Sequence, residues 1–171
     1  AKDDGPGRQA FDDGSRDAGP TYLTSLARSD ARVRFVQLAT NFGQTAAMAA
    51  GIDRARGAVV VTLDSDLQND PADIPMLVSR LDEGYEIVSG WRKDRQDSSL
   101  KRVPSRLANA LVRRFARSPV HDLGCTLKAY RADALDPREL FGEMHRFMVL
   151  YVMARGGKVG DPRRPSARLP A

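Results

Sequence analysis

The chain has few of the residues that build thiolate metal sites and disulfides. Its 171 residues include one cysteine, Cys125, and two histidines, His121 and His145. A single cysteine cannot form an internal disulfide, and the two histidines do not have the spacing of a zinc site. Cys125 stands between a glycine and a threonine in an apolar context. We therefore expect a buried thiol rather than a nucleophile at this position.

The sequence also lacks abundant aromatic residues and long apolar runs. Aromatics make up 6% of the chain, and no basic stripe is interleaved with them, which argues against single-stranded nucleic-acid binding. There is no signal peptide and no apolar run long enough to cross a bilayer, so a cytoplasmic location is expected. Neither a GxGxxG fingerprint nor a Walker A loop is present, so hydride transfer and P-loop chemistry lose their sequence support.

The balance of charge is basic. A net charge of +5 predicts an anionic partner, and on charge alone nucleic acid, lipid headgroups and sugar nucleotides all stay open. The hydrophobic and charged contents of 42% and 29% are those of one globular domain.

Strand and helix patterns alternate along the chain. This alternation predicts an α/β fold with a mainly parallel sheet flanked by helices. The predicted strands are 33–38, 58–63, 86–91 and 126–130, and the predicted helices are 22–27, 43–56, 71–83, 105–117 and 147–154. Asn41 is expected to cap the second of these helices.

The most informative stretch, VVVTLDSDLQNDP, begins at Val59. The apolar run 58–63 predicts a strand buried on both faces, and it ends on two carboxylates, Asp64 and Asp66. Open α/β sheets bind ligands at such strand ends, and alternate side chains of an extended chain project the same way. Two carboxylates suit Mg²⁺, which leaves its other positions to water and phosphates. The alternative is a loop in which Asp66 and Asn69 only cap a turn.

A second acidic segment, Asp12-Asp13-Gly14-Ser15, has two interpretations of equal weight. It is either a plain turn or a ligand site, and the residues themselves leave both open. The helix start that follows Asn41 is explained by ordinary capping, although helix N-termini also attract phosphate.

Several segments, taken in order, resemble family 2 glycosyltransferases. They are FDDGSRD, ATNFGQTAAMAAGIDRARG, VVVTLDSDLQNDPADI, IVSGWRKDR, KRVPSRLAN, HDLGCTLKAYR and GEMHRF, and they extend over about residues 11–158. The resemblance is to the branch that moves a sugar from a nucleotide sugar onto a polyprenyl phosphate, as dolichyl-phosphate mannosyltransferases and bacterial undecaprenyl-phosphate glycosyltransferases do. It implies a GT-A fold, a Rossmann-like α/β sheet. It also implies an inverting, metal-dependent transferase, peripheral at the cytoplasmic face of the membrane.

The resemblance implies roles on the donor side. The carboxylates of the DDGS turn, Asp12 and Asp13, would contact the nucleoside. Asp64 and Asp66 would hold Mg²⁺ or Mn²⁺ on the donor diphosphate, with Gln68 close by, and Asp66 would take part in catalysis.

On the acceptor side, the resemblance implies arginines that grip the lipid phosphate. The matching residues are Arg92, Arg102, Arg106 and Arg146. Asp122 matches a carboxylate near the reacting sugar, as a positioning residue or weak base, because the second pKa of a phosphate, about 6, leaves the acceptor already ionised. A turn carboxylate explains Asp122 equally well. Solvated surface charge is a plausible explanation of Lys128, Arg131 and Arg146, of which Arg146 is the best candidate for a functional role because the HRF segment recurs in the family.

The chain departs from the family at both ends. Family members begin with a strand and a Pro-x-Tyr-Asn-Glu loop, and nothing like it precedes Phe11. Residues 1–10 and 159–171 are therefore expected to be disordered, around an N-terminally truncated core, 11–158, that lacks the first strand. An inactive or binding-only remnant of such an enzyme is the alternative function. A basic α/β domain that binds nucleic acid is least supported, because the charge is scattered and no recognition motif appears.

Overall fold

The computed structural model describes residues 7–91, 120 and 122–161, and the chain divides into two compact units. Unit 1 comprises Ala1–Gly57 with Asp136–His145, and unit 2 comprises Ala58–Leu135 with Arg146–Ala171. In each unit helices pack against strands, so the predicted α/β class is confirmed. The predicted helix 105–117 lies outside the described residues.

Unit 1 is built on a parallel strand pair. Its elements are β1 (Arg8–Asp12), α1 (Gly19–Ser29), β2 (Val33–Gln37) and α2 (Gln44–Arg54). The strands pair in parallel from Arg8 opposite Val33 to Asp12 opposite Gln37. Both strands end at the same edge, as parallel pairing requires.

The strand β1 corrects part of the expectation that residues 1–10 are disordered and without a strand pattern, since it begins at Arg8. Residues 1–6 and 162–171, which belong to the two segments expected to be disordered, lie outside the described residues. Residues 8–10 belong to β1, although their sequence carries no alternating apolar pattern. Pairing with β2 stabilises this strand, and so does packing of Phe11 beneath α2. A Cβ on Gly51 of α2 would lie 3.0 Å from the Phe11 ring, so the missing side chain lets the helix approach the strand closely.

Unit 2 contains a four-stranded sheet. Its elements are β3 (Val59–Thr62), α3 (Ile74–Leu81), β4 (Ile87–Ser89), β5 (Lys128–Arg131), α4 (Met148–Ala154) and β6 (Val159–Gly160). The strand order is β3-β5-β4-β6. Because β5 runs antiparallel to both β3 and β4, this described sheet is mixed, and its parallel pair is β4 with β6.

Helix α3 and the sheet enclose the hydrophobic core of unit 2. Leu77 and Leu81, each 1% exposed, lie one turn apart and pack with Val88, Leu127 and Ala129. Burying each leucine contributes about 2 kcal/mol to folding. Cys125 is fully buried in the same cluster, so the expected buried thiol is confirmed.

Two details of unit 2 differ from the sequence analysis. Residues Val159–Gly160 are not disordered, because β6 pairs with β4 and Val159 is 7% exposed. Strand β3 is half-buried instead of buried on both faces, since in the described part of the chain it pairs with β5 alone. No helix among the described residues is long and apolar enough to span a bilayer.

Candidate functional site

In unit 1 the acidic turn follows β1, and its two carboxylates bind backbone N–H groups. Asp12 is 6% exposed and accepts hydrogen bonds from the Ser15 N–H at 3.3 and 3.1 Å. Asp13 accepts from the Phe42 N–H at 2.7 Å through Oδ1 and from the Gly43 N–H at 2.8 Å through Oδ2. Both carboxylates therefore hold the local backbone in place.

The contacts of Asp13 correct the expected cap of α2. Asn41 does not provide it: Gly43 is the N-cap, with φ of 92° and no side-chain hydrogen bond of its own. Asp13 supplies the oxygens instead, from about thirty residues earlier in the chain. A carboxylate at a helix N-terminus also interacts favourably with the helix dipole.

A polar cleft of about 410 Å³ lies beside this turn. It is lined by Gly14, Ser15, Arg16 and residues 37–41. Gly14 has φ of 80°, and a Cβ there would lie 2.8 Å from the Asn41 nitrogen, so this turn requires glycine. The cleft therefore lies at the carboxyl ends of β1 and β2, where α/β proteins bind ligands.

In unit 2 the segment that carries Asp64 and Asp66 follows β3, and its backbone bends. Asp64 is half-buried, whereas Asp66 and Gln68 are exposed. Asp66 Oδ1 accepts from the Gln68 N–H at 3.0 Å, and Leu67 has φ of 62° with 94% of its surface exposed. Because the chain bends from Ser65 onward, strand alternation does not set the direction of Asp66, contrary to the sequence argument.

The alternative prediction, that Asp66 and Asn69 only cap a turn, holds for Asp66 and not for Asn69. Asp66 does close a turn at Gln68, but Asp70 caps the short 3-10 turn Pro71–Asp73, accepting from the Ala72 N–H at 2.9 Å. The half-buried Asn69 amide instead contacts residues 125 and 126.

The donor set at this loop fits a divalent metal that also binds substrate phosphate. The described residues contain no group of three or more His, Cys, Asp or Glu side chains that would hold an ion by themselves. Two nearby carboxylates, one exposed, match Mg²⁺ or Mn²⁺, which take one or two carboxylates and fill other positions with water and phosphate oxygens. Asp64 and Asp66 therefore suit an ion that arrives with a diphosphate.

Asp122 lies in a buried turn of unit 2. It is 5% exposed, and its Oδ1 accepts from the Gly124 N–H at 3.1 Å. Its backbone carbonyl accepts from the Ser89 hydroxyl at 3.3 Å and from the Cys125 N–H at 3.3 Å. The bond from the Gly124 N–H is the capping contact expected if Asp122 is a turn carboxylate.

The candidate arginines are only partly described. Arg146 is exposed at the end of the 3-10 turn Met144–Arg146. Arg92, Arg102 and Arg106 lie outside the described residues, as does His121.

Two basic residues proved not to be solvated surface charges. Lys128 is 2% exposed, and its Nζ donates to the Cys125 carbonyl. Arg131 is half-buried and donates to the Leu81 carbonyl at 2.9 Å. Both side chains bind backbone inside unit 2, and their burial follows from β5 lying between two strands.

Sequence reasoning also missed a buried pair in unit 1. The Thr45 hydroxyl and the His145 Nδ1 lie 2.6 Å apart, and both residues are buried. This contact fastens residues 136–145 to the first turn of α2. The motif GEMHRF drew attention to the segment, but no local signal identifies a partner 100 residues away.

Comparison with known proteins gives a consistent family match. The family model described as "Glycosyl transferase family 2" matches residues 10–138. A dodecaprenyl-phosphate galacturonate synthase from Rhizobium johnstonii is 48% identical over 146 residues, covering 82% of this chain and 43% of that protein. An undecaprenyl-phosphate 4-deoxy-4-formamido-L-arabinose transferase from Pseudomonas aeruginosa is 47% identical over 126 residues, covering 73% of this chain and 37% of that protein. The chain thus spans about two fifths of the length of these relatives.

The fold resembles a solved glycosyltransferase structure. Glucosyl-3-phosphoglycerate synthase from Mycobacterium tuberculosis, in complex with Mn²⁺, uridine-diphosphate-glucose and glycerol 3-phosphate, superposes with a TM-score of 0.64. The match covers 92% of this chain and 61% of that chain at 19% identity, so it shows a shared GT-A fold.

Proposed function

Because the chain belongs to glycosyl transferase family 2, we propose that it carries the donor-binding part of an inverting enzyme that moves a sugar from a nucleotide diphosphate onto a polyprenyl phosphate. The observation that carries the proposal is the position of two carboxylates, Asp64 and Asp66, shortly after the end of β3 at Thr62. The names of the two relatives support polyprenyl phosphate as the acceptor.

On the donor side, the nucleoside would bind in the cleft beside the acidic turn of unit 1. The cleft is lined by backbone and polar side chains, including Ser15 and Asn41. Asp12 and Asp13 contribute first by shaping this turn, since their oxygens bind the backbone. Direct contact of either carboxylate with the nucleoside stays a prediction.

The diphosphate would bind at the loop of unit 2. Asp64 and Asp66 would hold Mg²⁺ or Mn²⁺, and Gln68 would contact the diphosphate. When bound, the ion neutralises the charge that develops on the leaving diphosphate as the glycosidic bond breaks. The exposed position of Asp66 lets a ligand approach it from solvent.

On the acceptor side, Arg92, Arg102, Arg106 and Arg146 would hold the lipid phosphate. Bringing a second anion against an anionic donor is the harder problem of this reaction, and guanidinium groups hold phosphate oxygens with fixed geometry. Asp122 would position the acceptor or act as a weak base. A strong base is unnecessary because a phosphate with a second pKa of about 6 is already ionised at neutral pH.

The acceptor chemistry also determines where the enzyme would work. A polyprenyl phosphate is held in a membrane by its hydrocarbon chain, and its phosphate lies at the surface. We therefore place the protein peripherally at the membrane, on the cytoplasmic face where nucleotide sugars are available. Nucleic acid is not among the proposed partners.

The direct test is product formation. The protein is incubated with a panel of UDP- and GDP-sugars, undecaprenyl phosphate in vesicles, and Mn²⁺ or Mg²⁺, and lipid-linked sugar is measured by mass spectrometry. The proposal predicts product with at least one donor, none with EDTA, and a large loss in Asp122→Asn. Asp133→Asn, an exposed carboxylate after β5, is the matched control. Absence of product with every donor, or product that persists in EDTA, would contradict the proposal.

The acceptor assignment has its own test. Replacing Arg92, Arg102 or Arg106 with alanine should raise the KM for the lipid phosphate more than the KM for the nucleotide sugar. Arg138→Ala serves as control, because this exposed arginine pairs with Asp136 on the surface of unit 1. Equal changes in both KM values would count against separate acceptor recognition.

A further inference from the structure

We propose that Asn69 is a positioning residue. It fixes the metal-binding loop of residues 64–70 against residues 122–126, the Asp122 turn. The inference rests on the proposed function, because it concerns how the same site is held. Asn69 lies outside the proposed ligand set of Asp64, Asp66 and Gln68, and it is half-buried.

The contacts of Asn69 cross from one segment to the other. Its Nδ2 donates to the Thr126 hydroxyl at 3.3 Å, and its Oδ1 accepts from the Cys125 thiol at 3.2 Å. These partners lie 57 and 56 residues later in the chain. One amide group thus uses its donor and its acceptor on two successive residues of the Asp122 turn.

This arrangement suits an amide at position 69. An amide donates to the Thr126 hydroxyl and accepts from the Cys125 thiol at the same time, whereas an alkyl side chain makes neither contact. The next residue, Asp70, caps the 3-10 turn through the Ala72 N–H, so its role is different. The two neighbouring polar residues therefore fasten the loop to different segments, Asn69 to the Asp122 turn and Asp70 to the 3-10 turn Pro71–Asp73.

The Asp122 turn is itself held firmly from the sheet. The Thr62 hydroxyl of β3 donates to the Thr126 carbonyl at 2.7 Å, and Lys128 of β5 donates to the Cys125 carbonyl. The Ser89 hydroxyl of β4 donates to the Asp122 carbonyl at 3.3 Å. Three strands thus anchor this turn, and Asn69 extends that rigid support to the loop.

The loop needs such support because its ligand-bearing end is exposed. Asp66 lies at the surface, and Leu67 next to it adopts a left-handed backbone with 94% exposure. Residues that orient metal ligands without touching the metal strongly affect metal affinity. Loss of the Asn69 contacts should therefore let the loop spread over more conformations and lower its affinity for the metal–nucleotide complex.

The test measures binding of Mn²⁺ with UDP or GDP, by calorimetry and by the electron paramagnetic resonance spectrum of the bound Mn²⁺. Thr126→Val should weaken binding about fivefold, the usual worth of one neutral hydrogen bond, and Asn69→Ala should weaken it at least as much, because it also loses the Cys125 contact. The double variant should be no weaker than Asn69→Ala. Thr126→Ser keeps the accepting hydroxyl and should bind like the unaltered protein. Ser79→Ala, at an exposed position of α3 outside this loop, is the control.

Each outcome decides between the two proposals. Binding is compared at a temperature where circular dichroism shows every variant folded, so a general loss of stability does not imitate the effect. Unchanged affinity and an unchanged Mn²⁺ spectrum in Asn69→Ala, or additive losses in the double variant, would overturn the positioning role alone. Absence of Mn²⁺–nucleotide binding in the unaltered protein would overturn the proposed function and this inference with it.

Discussion

The acidic turn of unit 1 and the acidic loop of unit 2 use the same residue type after a strand for different purposes. In the turn, Asp12 and Asp13 bind backbone N–H groups through both carboxylate oxygens. In the loop, Asp66 is exposed, and its Oδ1 accepts a hydrogen bond from the Gln68 N–H. The turn therefore stabilises the fold, whereas binding a ligand is the role proposed for the loop.

The local backbone around each carboxylate explains the difference in its hydrogen bonds. Helix α2 begins without a capping side chain of its own, and Asp13 accepts hydrogen bonds from the backbone N–H groups at its start. These bonds fix the position of the Asp13 carboxylate. The loop after β3 has no such helix at Asp66, because α3 begins later and is preceded by a turn that Asp70 caps.

Asp66→Asn should have the largest effect, and on ligand binding rather than on folding. We expect Mn²⁺-dependent nucleotide affinity to fall by about 100-fold, because the ion loses a charged ligand. The free energy of unfolding should change by less than about 0.5 kcal/mol, as for other exposed positions. Asp64→Asn should weaken binding less. Calorimetry and urea unfolding measure both quantities, with Asp70→Asn as the neighbouring control, since asparagine also caps helices.

Asp13→Ala should show the reverse pattern. We expect the free energy of unfolding to fall by about 2 kcal/mol, because two hydrogen bonds from N–H groups to a charged oxygen are lost. Asp13→Asn should lose less, since its amide oxygen still accepts one bond. Urea midpoints provide the measurement, and Asp53→Ala, with a side chain 68% exposed, is the control. A destabilisation no larger than that of the control would contradict the capping role.

Thr45→Val tests whether unit 1 depends on a second long-range contact. Losing the hydroxyl that meets the His145 Nδ1 should lower the free energy of unfolding by about 1 kcal/mol. Thr45→Ser retains the hydroxyl and should recover most of the loss. If valine and serine gave the same urea midpoint, the hydroxyl contact would not be what stabilises this position.

Tyr130→Phe should have the smallest effect at neutral pH. Its hydroxyl is fully buried and lies near the Thr62 hydroxyl without a hydrogen bond of good geometry, so its removal should change stability by less than about 1 kcal/mol. Burial raises the pKa of the Tyr130 phenol. The unfolded chain therefore releases this proton first, and the unaltered protein should lose stability as pH rises above about 10. The variant should lose less over that range, as urea unfolding at several pH values would show.

Periodicity predicted the elements whose own residues determine them. Helix α3 follows from apolar residues at 74, 77 and 81, and α4 from the apolar face that ends at residue 154. The order of the motifs predicted the family, which the match over residues 10–138 confirms. These features depend on local or cumulative patterns that a single sequence contains.

Long-range pairing determined what the sequence did not predict. Strand β1 forms because it pairs with β2. The antiparallel direction of β5 also depends on long-range pairing, which no local sequence pattern indicates. The Asp13 contact spans 29 residues and the Asn69 contact spans 57. The residue types around Asp13 and Asn69 predict polar turns. Only the fold shows that Asp13 binds the start of α2 and that Asn69 binds the Asp122 turn.

The most direct test of this account is a calorimetric titration of UDP and GDP into the unaltered protein, once with Mn²⁺ and once with EDTA. Saturable binding of at least one nucleotide is expected with Mn²⁺, and most of that affinity should be lost in EDTA, because Asp64 and Asp66 are proposed to act through the ion. Equal affinity in both conditions would contradict that role, since the two carboxylates would then have no part in holding the diphosphate.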